Sequence, residues 1–132
     1  MYYRRVASVS MVIAFTLGAL GCNPNGAGLH SVSGEVKFDG QPVERGSIAF
    51  IPNDSAQRTA TSRIENGKYT LLAPLGTSRV EVLATRDNGP VDKVMGQAPQ
   101  LQYVPEKYNV ESELTADVKP SDNTLDFDLT TP

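Results

Sequence analysis

Between residues 32 and 129 the chain repeats one device: a short run of alternating apolar and polar side chains, then a turn built on Gly, Pro, Asn or Asp. This constrains the fold more than any other property of the chain. A period of two places successive side chains on opposite faces of a strand, whereas a helix needs apolar residues three or four apart. The stretch Val32–Pro52, VSGEVKFDGQPVERGSIAFIP, reads as two short strands joined by a tight connection. Val36 and Phe38 point one way, and Glu35, Lys37 and Asp39 the other. After Gly46 the alternation returns, with Ile48 and Phe50 on one face. Asp39-Gly40 supplies residues tolerant of positive φ, and Pro42 presets the next backbone angle. Pro52 cannot donate to a ladder, so it ends its strand or marks an edge.

The same pattern continues. Arg58–Ile64 predicts a weaker strand with Thr59, Thr61 and Arg63 on one face, and Glu65-Asn66-Gly67 predicts a hairpin turn into Lys68–Leu72, with Tyr69 and Leu71 inward. Thr77–Ala84 directs Val80, Val82 and Ala84 to one side. Glu113–Lys119 places Leu114, Ala116 and Val118 inward, and Thr124–Leu129 does so with Leu125, Phe127 and Leu129. About seven short strands with regular turn signals, and no sustained helical period beyond the leader, predict an all-β sandwich over residues 32–132. With 132 residues, 39% hydrophobic and 20% charged, the chain suits one globular domain. Its single cysteine excludes an internal disulfide, so this fold must rest on its core.

The first 22 residues, MYYRRVASVSMVIAFTLGALGC, follow a different rule. Arg4 and Arg5 form a positive start, and Val6–Leu20 carries no charge. That run has the length of a signal peptide and falls short of the roughly 20 residues needed to span a bilayer. Ala19-Leu20-Gly21-Cys22 resembles the lipobox of bacterial lipoproteins, with Ala19 where leucine is preferred. The expectation is a helical lipoprotein signal peptide over residues 1–21, cleaved before Cys22, whose thiol and freed amine are acylated. Two or three acyl chains, at about 0.8 kcal/mol per buried CH₂, make a durable membrane anchor. Residues 22–31, rich in Gly, Asn and Pro, are expected to be a flexible tether. The protein is thus expected in the cell envelope, exported and held to a membrane.

Several runs together resemble a transthyretin-like domain, also called carboxypeptidase regulatory-like, as carried singly by small bacterial lipoproteins. They are G-E-V-K-F-D-G-Q-P-V with S-I-A-F-I-P, N-G-K-Y-T-L at Asn66–Leu71, A-P-L-G-T-S-R-V-E-V at Ala73–Val82, and V-P-E-K-Y at Val104–Tyr108. The resemblance implies a seven-stranded prealbumin-like sandwich and, for most single-domain members, no established activity. A hydrolase of this fold acts on hydroxyisourate through several histidines, an arginine and a C-terminal Tyr-Arg-Gly-Ser. Here the one histidine, His30, lies in the expected tether, and the chain ends Leu129-Thr130-Thr131-Pro132, so that activity is not expected.

Other chemistry is equally poorly served. No nucleophile–base pair or clustered zinc-ligand set stands out, so neither an enzyme nor a cofactor is expected. Asp126 and Asp128 alternate with Leu125, Phe127 and Leu129, which suits the solvated face of a strand better than a calcium loop. Losing Arg4 and Arg5 from 12 basic residues leaves 10 against 15 acidic, a balance unsuited to nucleic acid. The expectation is a non-catalytic structural or interaction module contacting an envelope protein or polymer. The alternative is a small-ligand or carbohydrate-binding lipoprotein. Arg86–Glu111 stands apart, being long, stiffened by Pro90, Pro99 and Pro105, and poor in alternation. It carries Arg86, Tyr103 and Tyr108, residue types that often dominate interfaces. These are the candidate partner contacts; Tyr108 is the one expected to pack the crossover onto the domain.

Overall fold

The computed structural model describes residues 28–132. The signal peptide expected over residues 1–21, the lipidation expected at Cys22, and most of the tether lie outside them. Ten strands follow in order: β1 (Leu29–Phe38), β2 (Gln41–Pro42), β3 (Arg45–Pro52), β4 (Ala60–Glu65), β5 (Lys68–Pro74), β6 (Gly76–Asp87), β7 (Gln100–Gln102), β8 (Thr115–Val118), β9 (Asn123–Thr124) and β10 (Phe127–Leu129). A single 3₁₀ turn, Glu106–Tyr108, separates β7 from β8. The domain is all-β, and its strands join in one curled, mainly antiparallel sheet that makes a half-barrel.

The hydrogen-bonded order is β10-β1-β5-β4-β3-β6-β7, with β2 and β9 also on β1 and β8 also on β6. β1 organises one half: residues 29–35 pair antiparallel with β5, while β9 and β10 run parallel to it. β6 organises the other, pairing with β3 along its middle, β8 at its start and β7 at its end. Curling brings distant strands of this path face to face. Three strands separate β3 from β10, yet the Phe50 and Phe127 ring centroids are 6.3 Å apart. Tyr69 of β5 closes the triangle, 6.2 Å from Phe50 and 6.3 Å from Phe127. Around these rings Val36, Ile48, Val80, Val82 and Leu129 are buried, as their alternation predicts.

The two-residue turns carry their chemistry openly. Asp39 and Gly40 have φ of 49° and 80°, and Asn66 and Gly67 have 51° and 80°. Positive φ at both central positions is what a right-twisted hairpin demands, and Asx-Gly supplies it at least cost.

Several expectations need correcting. The Asp39-Gly40 turn does not join the two short strands expected over Val32–Pro52: it closes only β1 on the two-residue β2, and β3 pairs with β4 and β6 instead. Val43 explains the redirection. It is fully buried, its N–H donates to the Val36 carbonyl at 3.0 Å, and its carbonyl accepts from Gly67 at 2.7 Å. Leu29, His30 and Ser31, assigned above to the tether, are strand residues opposite Pro74, Ala73 and Leu72. Backbone pairing holds them there, which their mixed side chains do not announce. Arg58 and Thr59 precede β4, and Ile64 supplies an unexpected core residue. Phe38, Leu114 and Leu125 only half bury themselves against the core.

The predicted final strand is broken in two where the chain crosses Gly34. A Cβ on Gly34 would stand 1.9 Å from the Leu125 carbonyl oxygen. In that crossing Leu125 N–H donates to the Ser33 carbonyl at 2.8 Å, and the Tyr69 hydroxyl donates to the Leu125 carbonyl at 2.6 Å. Glu35 N–H donates to Asp126 Oδ1 at 2.8 Å. Asp126 is thus a strand-pairing substitute as well as an exposed carboxylate. Nearby, Asn123 is spent on closing the turn after β8, its side chain bonded to Lys119, Ser121 and Ser31.

Candidate functional site

The segment from Arg86 to Glu111 proves to be partly strand and firmly tied down. β6 continues through Asp87, and β7 returns against it with Thr85, Arg86 and Asp87 opposite Gln102, Leu101 and Gln100. One step further, Tyr103 N–H donates to the Ala84 carbonyl at 3.1 Å. Tyr103 therefore lies opposite Ala84, and Arg86, two residues along, becomes its diagonal neighbour on the same face. Diagonal cross-strand neighbours are within reach of long and aromatic side chains. Accordingly the Arg86 guanidinium carbon sits 5.5 Å from the Tyr103 ring centroid. Phe38, at the end of β1, meets Tyr103 edge-on at 5.5 Å and 72°.

Arg86 and Tyr103 form one wall of an open groove of about 620 Å³ at the mouth of the half-barrel. The mouth exists because β3 and β6 stop pairing at Gly46–Ala84, beyond which their chains diverge. Gln41, Pro42 and Glu44 also line the groove, with Asn66 from the β4–β5 turn. A side-chain bridge closes the gap, Arg45 Nη2 lying 3.0 Å from Asp87 Oδ1. Gln100 Nε2 donates to the same oxygen at 2.6 Å. The Gln100 hydrogen bond first, and then Arg45, hold the Asp87 carboxyl below its ordinary range. Burial raises the Tyr103 hydroxyl, with the Glu44 charge adding to the rise and Arg86 opposing it.

Tyr108 belongs elsewhere. Its hydroxyl accepts from the Thr130 N–H at 3.0 Å and lies 3.4 Å from the Thr130 hydroxyl, bonds that lower its pKa. Lys107 Nζ stands 4.7 Å from its ring centroid. Tyr108 thus fastens the 3₁₀ turn to the strand-end residue beyond β10 and contributes nothing to the groove. Buried Asn109 pins the same segment through Val104 and Pro105, and the Ser112 hydroxyl donates to the Val80 carbonyl. The structure therefore brings Arg86 and Tyr103 together and leaves Tyr108 outside. Glu44, Arg45, Asn66 and Asp87 were missed, since Asn66 reads in sequence as a turn former and the others as surface charges. Among the described residues no three His, Cys, Asp or Glu side chains cluster as metal ligands. Among those residues, too, no helix is long and apolar enough to cross a membrane.

No family model and no curated protein matches the chain. Among solved structures, a DUF3823 family protein from Parabacteroides merdae aligns with a TM-score of 0.44 and 13% identity. The alignment covers 77% of this chain and 46% of that one, so the chain spans less than half of that protein's length. A 9R-lipoxygenase from Cyanothece aligns with a TM-score of 0.37 and 12% identity over 79% of this chain and 16% of that one. Neither likeness is close enough to bear on function.

Proposed function

We propose that this protein is a non-catalytic recognition module of the transthyretin-like class, exported and lipid-anchored through Cys22, which binds an envelope protein or polymer in the groove beside Arg86 and Tyr103. The observation that carries this reading is the groove's position. β1 enters at Leu29 and runs ten residues to Phe38, about 30 Å at 3.3 Å per residue. The groove gathers at the Phe38 end. A chain tethered upstream of Leu29 would therefore hold the groove away from its point of attachment, facing whatever lies beyond the membrane surface. The prealbumin-like sandwich is supported by the meeting of Phe50 and Phe127 across the curl, which gives the half-barrel two opposed faces around one core. A recognition role is supported by the side chains gathered in the groove, most of them ionic, amide or aromatic.

The test uses the full chain in its native envelope. Cys22→Ser should leave the leader uncleaved and abolish incorporation of labelled fatty acid. In the wild-type background, Tyr103→Ala should remove the products of photo-crosslinking at Gln41 in a chain that still folds, with the unfolding midpoint lowered by loss of the Phe38 contact. A wild-type chain without lipid refutes the anchor. Crosslinks indifferent to Tyr103→Ala move the recognition surface elsewhere.

A further inference from the structure

Resting on the reading of the groove as a recognition site, we infer that its ligand is a carboxylate-bearing saccharide, held by Arg86 through the carboxylate and by Glu44 through hydroxyls. The inference begins with which charges in the groove are already spent. Arg45 and Asp87 satisfy each other at 3.0 Å, and Gln100 adds a further donor to Asp87. Arg86 and Glu44 make no side-chain ion pair or hydrogen bond among the described residues, although both line the groove. One unspent guanidinium and one unspent carboxylate thus line the same space.

Arg86 is prepared for an anion. Its contact with the Tyr103 ring, itself braced edge-on by Phe38, restricts a long side chain before anything binds. Restricting the fork in advance lowers the entropy lost on binding, and a planar guanidinium matches a carboxylate through two parallel N–H bonds. Glu44 selects among anions. A compact dianion such as phosphate would bring its full charge close to Glu44 and Asp87, whereas a carboxylate set into a larger neutral frame keeps its charge at the Arg86 wall. The frame must then offer hydrogen-bond donors to Glu44 and mixed partners to the Gln41 and Asn66 amides. A sugar ring offers hydroxyls of that kind, and its C–H faces suit Pro42 and the Tyr103 ring. An apolar ligand would desolvate both unspent charges without replacing their water, a cost it could not recover. A peptide carboxylate would also satisfy Arg86, and its backbone N–H groups are donors for Glu44, so an acidic peptide is the discriminating competitor.

The full chain in detergent is titrated with a tetragalacturonate left as the free acid at one residue and methyl-esterified at the other three, with its full methyl ester, and with a tetra-aspartate peptide. Binding of the one-acid form is expected, weakened about tenfold or more by full esterification or by Arg86→Gln, partly restored by Arg86→Lys, and reduced as ionic strength rises. Glu44→Ala should weaken binding of the free acid and its ester, because it removes the carboxylate that accepts from hydroxyls common to both. Arg63→Gln, outside the groove, should change nothing. Equal binding of acid and ester, or binding indifferent to Arg86→Gln, overturns the inference. So does failure of the one-acid form to bind. If the peptide binds instead through Arg86, the saccharide class is wrong and the groove stands. If no probe binds and the Tyr103→Ala chain keeps its envelope crosslinks, the groove reading falls as well.

Discussion

Replacing Gly34 by alanine tests the point on which the curl of the sheet depends. The added methyl carbon would stand 1.9 Å from the Leu125 oxygen, 2.6 Å from its carbonyl carbon and 3.1 Å from Asp126 Oδ1. The nearest two atoms are backbone, so no rotamer change relieves the overlap; β1 or the 125–126 crossing must move. Movement there strains three hydrogen bonds at once: Leu125 N–H to Ser33, Tyr69 hydroxyl to Leu125, and Glu35 N–H to Asp126. At about 0.5–1.5 kcal/mol net for each, their loss costs about 1.5–4.5 kcal/mol. Alanine returns about 0.4–1 kcal/mol by narrowing the unfolded ensemble. A net destabilisation of about 0.5–4 kcal/mol, centred near ~2, is expected, against the roughly 5–15 kcal/mol typical of a domain. Urea unfolding followed by far-UV circular dichroism measures it. Gly40→Ala is the comparison: φ there is +80° but nothing lies within 4 Å, so only the left-handed penalty of about 1–2 kcal/mol applies. A Gly34→Ala protein within about 0.5 kcal/mol of wild type would refute the account of the crossing, since surface substitutions alone stay in that range.

Two further outcomes follow from the tyrosines. Burial first, and then the Asp126 charge, raise the Tyr69 hydroxyl above its ordinary value of 10.0. Its contribution is therefore whole below pH 10.0 and falls as pH rises beyond it, because the unfolded chain ionises first. Tyr69→Phe should cost about 0.5–1.5 kcal/mol at neutral pH and flatten the alkaline loss of stability; an unchanged alkaline slope assigns that loss to another group. Tyr108→Phe removes the acceptor of the Thr130 N–H, so amide exchange at Thr130 should quicken while the groove's probe affinity stays the same. Altered affinity would place Tyr108 in the recognition surface after all.

The core was legible in the sequence because alternation is a local signal. Val36, Ile48, Phe50, Tyr69, Val80, Val82 and Phe127 each declare an inward face through neighbours one and two positions away. The Asp39-Gly40 and Asn66-Gly67 turns were legible for the same reason, since positive φ selects Asx-Gly wherever the strands go. Strand partnership was decided by tertiary structure. Alternation states that a face is buried without stating against which strand, so the redirection at Val43 and the parallel placing of β9 and β10 beside β1 emerge only on packing. The groove is non-local in the same sense. Arg86 and Tyr103 are 17 positions apart and meet because the β6–β7 register makes them diagonal neighbours. Glu44 and Arg86 are farther apart still, and face one space because β3 and β6 part after Gly46 and Ala84. Residue type marked Arg86 and Tyr103 as candidates; register and curl decided what stands opposite them.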